Sequence, residues 1–259
     1  MVAFVWRLDS EAPLPLWRHV ASPVTASPVP AFSTRLGGIS LPPYDTLNLG
    51  RSTADRPQAV AENRRRLLQA LGFEPSRLVT LGQVHGARVV EAAEPGLQLE
   101  CDAVFTRARG LALAVTGADC LPILFVAGKV VAAAHAGWRG IVAGVAEAAL
   151  QAAVAAAGIS PAGARAHLGP CIRACCYEVG ADVAAQFPPQ ALSTRQHSVH
   201  LDLPAAVRMR LVAAGMSRET IEDTGACTAC DPSRYFSYRR DRGSTGRHWG
   251  VIGWRDAPA

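Results

Sequence analysis

The chain has 259 residues, of which 49% are hydrophobic and 18% charged, so it has ample apolar side chain for a large core and lacks a composition typical of disorder. Its formal net charge of +5 rests almost entirely on arginine, since Lys129 is the only lysine, and we interpret this bias as a property of the coding background and not as a nucleic-acid-binding surface. Residues 1–16 and the apolar region 111–136 are both interrupted by polar residues or proline, so we expect no signal peptide, no membrane span and a cytoplasmic protein.

The predicted elements alternate between helix and strand along one domain, residues 1–259. The first forty residues predict short strands and turns, and a helix follows over residues 56–71, with Asp55 as its N-cap and Gly72 at its end. Apolar segments then predict strands at 77–83, 87–92 and 111–115, and a hairpin over 122–134 that turns at Gly128-Lys129.

The second half predicts more helix. An alanine-rich segment, 140–157, predicts one helix closed by Gly158, and shorter helices are predicted at 180–186 and 204–214. A last strand pair, 235–239 and 248–254, brackets the turn Gly243-Ser244-Thr245-Gly246. This pattern is typical of the α/β class.

Three segments place a metal-type donor at the end of a predicted strand. They are Gln83-Val84-His85-Gly86, Ala118-Asp119-Cys120-Leu121-Pro122 and His135-Ala136-Gly137-Trp138-Arg139-Gly140. Imidazole and thiolate are good zinc ligands, and catalytic zinc typically keeps three protein ligands and one open position. The separations match no local ligand motif, so the residues by themselves leave two interpretations open: a metal site, or a packed thiol with histidines bonded to the backbone.

The other cysteines have no assigned role at this level. Seven cysteines in a reducing compartment favour thiols over a disulfide framework. Cys227 and Cys230 have half of a zinc-ribbon spacing without a second pair at a matching distance, which favours structural thiols. The remaining members of this group are Cys171, Cys175 and Cys176.

The sequence resembles the multicopper polyphenol oxidoreductase family, the laccase domain proteins, along nearly its whole length. Beyond the three donor segments, the resemblance rests on further blocks in the same order: Phe32-Ser33-Thr34-Arg35-Leu36-Gly37-Gly38-Ile39-Ser40, Leu47-Asn48-Leu49-Gly50, Leu168-Gly169-Pro170, Cys176-Tyr177-Glu178-Val179 and Phe236-Ser237-Tyr238-Arg239-Arg240-Asp241. Two positions depart from the family pattern: Gly117, where many relatives carry threonine, and His248-Trp249, where they carry smaller or thioether residues.

The resemblance implies a layered α/β/β/α fold with mixed β-sheets and a zinc ion held by His85, Cys120 and His135. It also implies a purine nucleoside phosphorylase with adenosine deaminase activity, acting on adenosine, inosine, guanosine and methylthioadenosine with phosphate as co-substrate. Nucleic acids and membranes are not among the expected partners.

Within that expectation, five residues receive provisional roles. Asp119 is the candidate proton carrier for deamination, by analogy with other zinc deaminases that use a carboxylic acid. Arg35 and Arg139, each near glycines, are the candidates for holding phosphate. Asn48 and Gln83 are the candidates for hydrogen bonds to sugar or base.

Three alternatives remain at the level of sequence. A copper oxidase would use the same imidazole and thiolate donors, but its trinuclear cluster needs more than seven histidines and the chain has no His-x-His pair. A cysteine hydrolase acting on cell-wall precursors would use Cys120 as nucleophile and His85 or His135 as base. A non-enzymatic binding module would use an arginine-rich hairpin tip, formed by Arg239, Arg240, Arg242 and Arg247, which could also hold an anion.

Overall fold

The computed structural model describes residues 6–19 and 28–256, so the strands and turns predicted for the first forty residues lie outside the described residues at 1–5 and 20–27. Its strands are β1 (Trp6–Asp9), β2 (Leu16–His19), β3 (Ala31–Ser33), β4 (Leu78–Leu81), β5 (Val89–Glu91), β6 (Gly96–Gln98), β7 (Ala103–Thr106), β8 (Ala112–Gly117), β9 (Leu121–Ala127), β10 (Val130–Ala136), β11 (Arg165–Leu168), β12 (Glu178–Val179), β13 (Leu192–Arg195), β14 (Ser198–Leu201), β15 (Ile221–Asp223) and β16 (His248–Ile252). Its helices are α1 (Pro57–Leu71), α2 (Trp138–Ala143), α3 (Val145–Ala157), α4 (Ala181–Ala184) and α5 (Leu203–Ala213).

Two mixed sheets pack face to face between helices. One has seven strands in the order β1-β2-β3-β16-β8-β4-β6, and the other has six in the order β15-β11-β9-β10-β7-β5. Helix α1 packs on the outer face of the first sheet, and α3 and α5 pack on the outer face of the second. This confirms the α/β/β/α layering that the resemblance implied. A small sheet, β12-β14-β13, stands beside the layers.

The apolar sequence of β8 and β10 explains the layering. Because successive side chains of a strand point to opposite faces, a strand buried on both faces must be apolar throughout. In β8, Leu113 and Val115 face the other sheet, whereas Ala112 and Ala114 face α1. The apolar residues of β10 divide in the same way between the inter-sheet core and the core under α3, and its one polar residue, His135, lies near the end of the strand.

The predicted helix at 56–71 is confirmed, but its predicted cap is wrong. The N-cap residue is Arg56, with Pro57 in the first turn, and Gly72 closes the helix in the left-handed conformation at φ 77°. Asp55 instead accepts hydrogen bonds from Ser40 Oγ at 2.6 Å and Asn48 Nδ2 at 3.0 Å. Its Oδ1 also accepts the backbone N–H of Arg56 at 2.7 Å, so the carboxylate holds the preceding loop and the N-cap residue but accepts no N–H group from the first turn of the helix.

The alanine-rich segment forms two helices where one was predicted. Gly144 has φ 89°, which ends α2 and starts α3 in a new direction. Glycine reaches this left-handed conformation without the steric penalty of a Cβ. The break lets α2 begin directly after Gly137 at the end of β10, so both α2 and the donor His135 lie beside the same cavity.

The hairpin over β9 and β10 is confirmed, with its turn at Gly128-Lys129 and Val130 paired with Ala127. The predicted strand at 235–239 is wrong, because that segment forms turns stabilised by Arg240 and Asp241, and only β16 of that pair is a strand. Between residues 6 and 256, apart from 20–27, we find no helix with the length and apolar character that a membrane span needs.

Candidate active site

Three strand ends bring His85, Cys120 and His135 together. His85 follows β4, Cys120 lies in the turn between β8 and β9, and His135 is the penultimate residue of β10. Their donor atoms all lie within 4.8 Å of one another, and the two imidazole rings are 4.8 Å apart in an edge-on arrangement. These three residues thus form a side-chain group that can hold a metal ion.

A fully buried carboxylate, Asp102, organises two of the three donors. Its Oδ1 lies 2.8 Å from His135 Nδ1 and accepts the backbone N–H of His85 at 2.9 Å. Its Oδ2 accepts the N–H groups of Val84 and Gly86 at 3.0 and 2.8 Å. Burial by itself would raise the pKa of Asp102, but the hydrogen bonds from His135 and the backbone lower it.

The Asp102 carboxylate determines which nitrogen of His135 faces the other donors and holds the backbone conformation of His85. With Nδ1 of His135 engaged, Nε2 is the nitrogen that faces the other donors, which is the arrangement found around many metal-bound histidines. His85 has φ 61°, a left-handed conformation uncommon for residues other than glycine. The three backbone N–H groups bound to Asp102 hold the loop in that conformation.

Cys120 and His135 shift each other's proton equilibria. Burial would raise the pKa of Cys120, but the charge and hydrogen bonds of His135 and His85 outweigh it and lower the pKa to about 6. Burial would lower the pKa of His135, whereas the Cys120 thiolate and Asp102 raise it to about 9. The pair is therefore poised as thiolate and imidazolium, and a metal ion would replace the shared proton.

The donor group fits a metal ion of the zinc type. Two imidazoles and one thiolate are ligands that borderline-soft ions accept, and three protein ligands leave one coordination position open. Glycine at position 137 makes room, because a Cβ there would lie 2.9 Å from Cys120 Sγ and 3.1 Å from His85 Cδ2. Copper accepts the same imidazole and thiolate ligands, so this ligand set is shared by zinc and copper.

The donors lie in a cavity of about 810 Å³, large enough for a nucleoside-sized molecule. Gln83, Asp119 and Gly117 also line it. Three aromatic side chains contribute flat apolar surface to its wall: Trp138, Tyr177 and Tyr238. Four arginines complete the polar lining: Arg51, Arg64, Arg239 and Arg247.

Three of these arginines, Arg51, Arg64 and Arg247, which we call the arginine end, carry positive charge without a carboxylate partner. Within the described ranges, none of the three has an acidic oxygen at ion-pair distance. Burial, followed by the charge of Arg51, lowers the pKa of Arg64 to about 10, and burial also lowers the pKa of Arg247. Desolvated cations without counter-charges favour binding of an anion.

The Leu47-Asn48-Leu49-Gly50 segment is the scaffold of the arginine end. The carbonyl of Leu49 accepts hydrogen bonds from Arg64 Nε and Nη2, and its N–H donates to the carbonyl of Arg247. Gly50 lies against the Arg247 side chain, where a Cβ would come 2.5 Å from Cγ. The guanidinium of Arg64 also stacks 4.7 Å above the ring of Trp249.

Asn48 belongs to this scaffold and not to the cavity lining. Its Oδ1 accepts the N–H groups of Gly50 and Arg247, and its Nδ2 donates to Thr53 Oγ1 and Asp55 Oδ2. The side chain is fully buried and its hydrogen-bonding capacity is used. Its geometry supports positioning of Arg247 and leaves no free donor for a sugar or base.

The other predicted binding residues divide between the cavity and its surroundings. Gln83 lines the cavity, although its amide pairs with the backbone N–H and carbonyl of Thr116 at 2.7 and 2.8 Å. Arg35 lies outside the lining, bound to Asp45 and stacked 4.6 Å over Phe236. Arg139 is exposed and stacked 4.3 Å over Trp138, so it reaches the rim at most.

Asp119 lines the cavity beside Cys120, with both carboxylate oxygens engaged. Oδ1 accepts the hydroxyl of Thr228 at 2.6 Å, and Oδ2 accepts the N–H of Arg239 at 2.9 Å. The side chain thus joins the turn that carries Cys120 to the segment that carries Arg239. Of the family departures, Gly117 lies in the cavity wall, whereas His248 and Trp249 are buried in β16 and outside the lining.

Sequence reasoning missed Asp102 and Arg64. Asp102 lies at the start of β7 without any motif, so only the sheet pairing beside His135 brings it to the donors. Arg64 received no role from the sequence, yet it follows Val60 by one turn on the buried side of α1. Helical spacing was therefore an available signal for Arg64.

A family model described as multi-copper polyphenol oxidoreductase laccase matches residues 29–255. A protein of Deinococcus radiodurans named purine nucleoside phosphorylase is 44% identical over 229 residues, covering 86% of this chain and 88% of its own. The Escherichia coli protein named purine nucleoside phosphorylase YfiH is 42% identical over 226 residues, covering 83% and 89%.

Solved structures agree with the fold over its full extent. The crystal structure of YlmD from Geobacillus stearothermophilus superimposes with a TM-score of 0.89 at 34% identity, covering 98% of this chain and all of that one. The Bacillus licheniformis protein YfiH gives a TM-score of 0.88 at 32% identity, with the same coverage. The chain belongs to the multi-copper polyphenol oxidoreductase laccase family.

Proposed function

We propose that this chain is a zinc-dependent purine nucleoside phosphorylase that also deaminates adenosine. The observation that carries the proposal is a single cavity lined both by the donors His85, Cys120 and His135 and by the arginine end. The names of the relatives in Deinococcus radiodurans and Escherichia coli support the phosphorylase assignment. Adenosine, inosine, guanosine and methylthioadenosine are the proposed substrates, and the cytoplasm is the proposed location.

Phosphorolysis needs an anionic nucleophile held close to the ribose. In the proposed pose, Arg51, Arg64 and Arg247 bind phosphate, one of whose oxygens attacks ribose C1′ while the C–N bond to the base breaks. The products are the free base and ribose 1-phosphate. Because Arg64 and Arg247 are held by backbone carbonyls and aromatic rings, these two side chains are oriented before phosphate arrives.

The base occupies the other half of the cavity. Aromatic side chains stack well on flat heterocycles, and Trp138 and Tyr177 offer such surfaces, whereas the Tyr238 ring lies 5.5 Å from the Arg247 guanidinium. This orientation directs the purine amino group toward the donors His85, Cys120 and His135. When bound there, zinc supplies Lewis acidity and lowers the pKa of water toward neutrality.

Deamination also requires proton transfer to the leaving ammonia. Asp119 remains the proposed carrier because it lines the cavity next to Cys120. Its two oxygens accept hydrogen bonds from Thr228 and Arg239, which hold the carboxylate in place beside Cys120. In this proposal, Asp119 takes a proton from water and delivers it to the departing amine.

A cysteine hydrolase is the second candidate, because Cys120, His135 and Asp102 have the arrangement of a nucleophile, a base and an orienting carboxylate. The lowered pKa of Cys120 favours its thiolate. The same contacts serve a metal ligand equally well, so the two mechanisms differ in what remains after metal removal. A copper oxidase would share the donors, and metal analysis of protein purified without added copper separates it from the zinc proposal.

The test is product analysis with purified protein. Adenosine, inosine and guanosine are incubated with and without phosphate, and the products are separated by chromatography. We expect free base and ribose 1-phosphate only when phosphate is present, and conversion of adenosine to inosine in either case. Absence of both reactions from protein loaded with about one zinc at His85, Cys120 and His135 would refute the proposal.

A further inference from the structure

A second group of sulfur ligands lies outside the cavity. The sulfur atoms of Cys175, Cys176, Cys227 and Cys230 all lie within 4.8 Å of one another. Cys230 Sγ is 3.3 Å from the sulfurs of both Cys175 and Cys176. A Cys-x-x-Cys pair, Cys227 and Cys230, is recognisable in the sequence, and the fold brings the second pair beside it.

Two loops are fastened together to build this cluster. Cys171 and Cys227 form an isolated parallel bridge, in which Thr228 N–H donates to the carbonyl of Cys171 at 3.0 Å. Arg173 strengthens the junction, because its Nε donates to the carbonyl of Ala226 and its guanidinium pairs with Asp223. Cys171 itself is fully buried in the core and stands apart from the four.

The sulfur positions suit a tetrahedral ion. A zinc–sulfur distance of about 2.3 Å places four sulfurs about 3.8 Å apart, close to the separations in the cluster.

Exposure provides the second reason to expect a ligand. Cys175 and Cys230 are exposed, whereas Cys176 and Cys227 are half-buried. Exposed thiols are readily oxidised, and a group of four neighbouring thiols with two exposed members would be unprotected. An ion shared by all four would shield them.

We propose that Cys175, Cys176, Cys227 and Cys230 form a second metal site, a tetrathiolate that binds a structural zinc ion. With four protein ligands it has no open position, in contrast to the donors in the cavity. The site adjoins the cavity wall through Tyr177, which follows Cys176, and through Thr228, which donates to Asp119. Binding of the ion therefore fixes one side of the cavity.

The first measurement is metal content of reduced protein after gel filtration in metal-free buffer. We expect about two zinc ions per chain in the unaltered protein and about one in a Cys175→Ser/Cys230→Ser variant. The Cys120→Ala variant should also hold about one, at the other site, and Cys101→Ser, which changes a buried thiol outside both groups, should hold about two. This site does not depend on the nucleoside chemistry, so its failure and that of the proposed function are separable.

A second measurement tests the proposal even if the Cys175→Ser/Cys230→Ser variant fails to fold. Cys120→Ala protein is loaded with cobalt, whose thiolate charge-transfer and visible bands report a tetrahedral sulfur site. In the zinc-loaded protein, Cys175 and Cys230 should resist alkylation despite their exposure and should react after chelation. A disulfide detected by mass in freshly purified, unreduced protein, or an unaltered protein that binds only one zinc and leaves these thiols reactive, would overturn the proposal.

Discussion

The donors and the arginine end of the cavity differ in how their charges are balanced. At the donor end, Asp102 pairs with His135 and with three backbone N–H groups, so its charge is balanced inside the protein. At the arginine end, Arg64 and Arg247 are held by carbonyl oxygens and ring faces without a carboxylate. The first arrangement positions ligands, whereas the second leaves positive charge for an anion from solution.

The largest expected effect comes from removing the metal ion from the donor end, formed by His85, Cys120 and His135. Chelation should reduce nucleoside turnover by at least about a thousandfold, because several kcal/mol of transition-state stabilisation is lost, and added zinc should restore it. Cys120 should be alkylated only in the metal-free protein, since a metal-bound thiolate is shielded.

The control is protein carried through the same treatment and reloaded with zinc. Robust turnover by verified metal-free protein would instead favour Cys120 as a nucleophile. In that case removal of the ion would free the thiolate and leave His135 as its base.

Substitutions at the arginine end should impair phosphorolysis much more than deamination. Arg64→Ala and Arg247→Ala should each reduce phosphorolysis by about a hundredfold, since a charge-assisted contact to phosphate is lost, while deamination changes only a few-fold. Steady-state rates with inosine and phosphate, and with adenosine alone, provide the comparison.

Arg65→Ala is the matched control for these variants. Arg65 lies on the same helix as Arg64, but it is exposed and pairs with Glu62, so both rates should stay unchanged. Equal losses in the two reactions for Arg64→Ala and Arg247→Ala would point to a shared structural role and not to phosphate binding.

Asp102→Asn tests whether the donor end depends on one carboxylate. Zinc affinity at His85, Cys120 and His135 should fall by about 10- to 100-fold, the usual cost of losing a partner behind a metal-bound histidine. Competition with a chromophoric chelator measures it. An unchanged affinity in a correctly folded variant would show that His135 needs no such partner.

Burial should make protonation of His248 unfavourable and so make the stability of the fold depend on pH. Burial, together with the charges of Arg35 and Arg247, lowers the pKa of His248 from its ordinary value of 6.5 to about 3. Neutral His248 is thus favoured in the folded state, so its contribution to stability is present above pH 6.5 and is lost as the pH falls toward 3. At pH 5 the loss should be about 2 kcal/mol of unfolding free energy.

Denaturant unfolding between pH 5 and 8 measures this slope. His248→Gln retains an acceptor for the N–H of Phe236 that His248 Nε2 accepts at 2.7 Å, and it cannot take up the proton. Its stability should decline less steeply than that of the unaltered protein. Parallel slopes for the two proteins would exclude His248 as the titrating group.

Sequence patterns predicted the parts of this molecule that depend on local chemistry. The apolar runs of β8 and β10, the Gly128-Lys129 turn and the helix ending at Gly72 follow from periodicity and glycine placement. The donors His85, Cys120 and His135 stood out by residue type and by the family resemblance. Their convergence is a property of the sheet pairing.

The features that were missed depend on contacts distant in sequence. Asp55 resembled a helix cap, but hydrogen bonds to Ser40 and Asn48 compete for its carboxylate. Asp102 reaches His135 across 33 positions, and the cysteine cluster joins residues 54 and 55 positions apart. Sequence rules that consider only neighbouring residues do not detect such pairs, because each partner lies in a segment with no recognisable motif of its own.

The left-handed backbone of His85 restricts how this site can be redesigned. At φ 61°, histidine, asparagine, aspartate and glycine are the residues that such a conformation accommodates most readily. Replacement of His85 by aspartate would therefore change the donor from nitrogen to oxygen while preserving the loop, whereas a β-branched residue would force the loop off Asp102. An engineer who wants a harder metal ion in this cavity should begin at position 85.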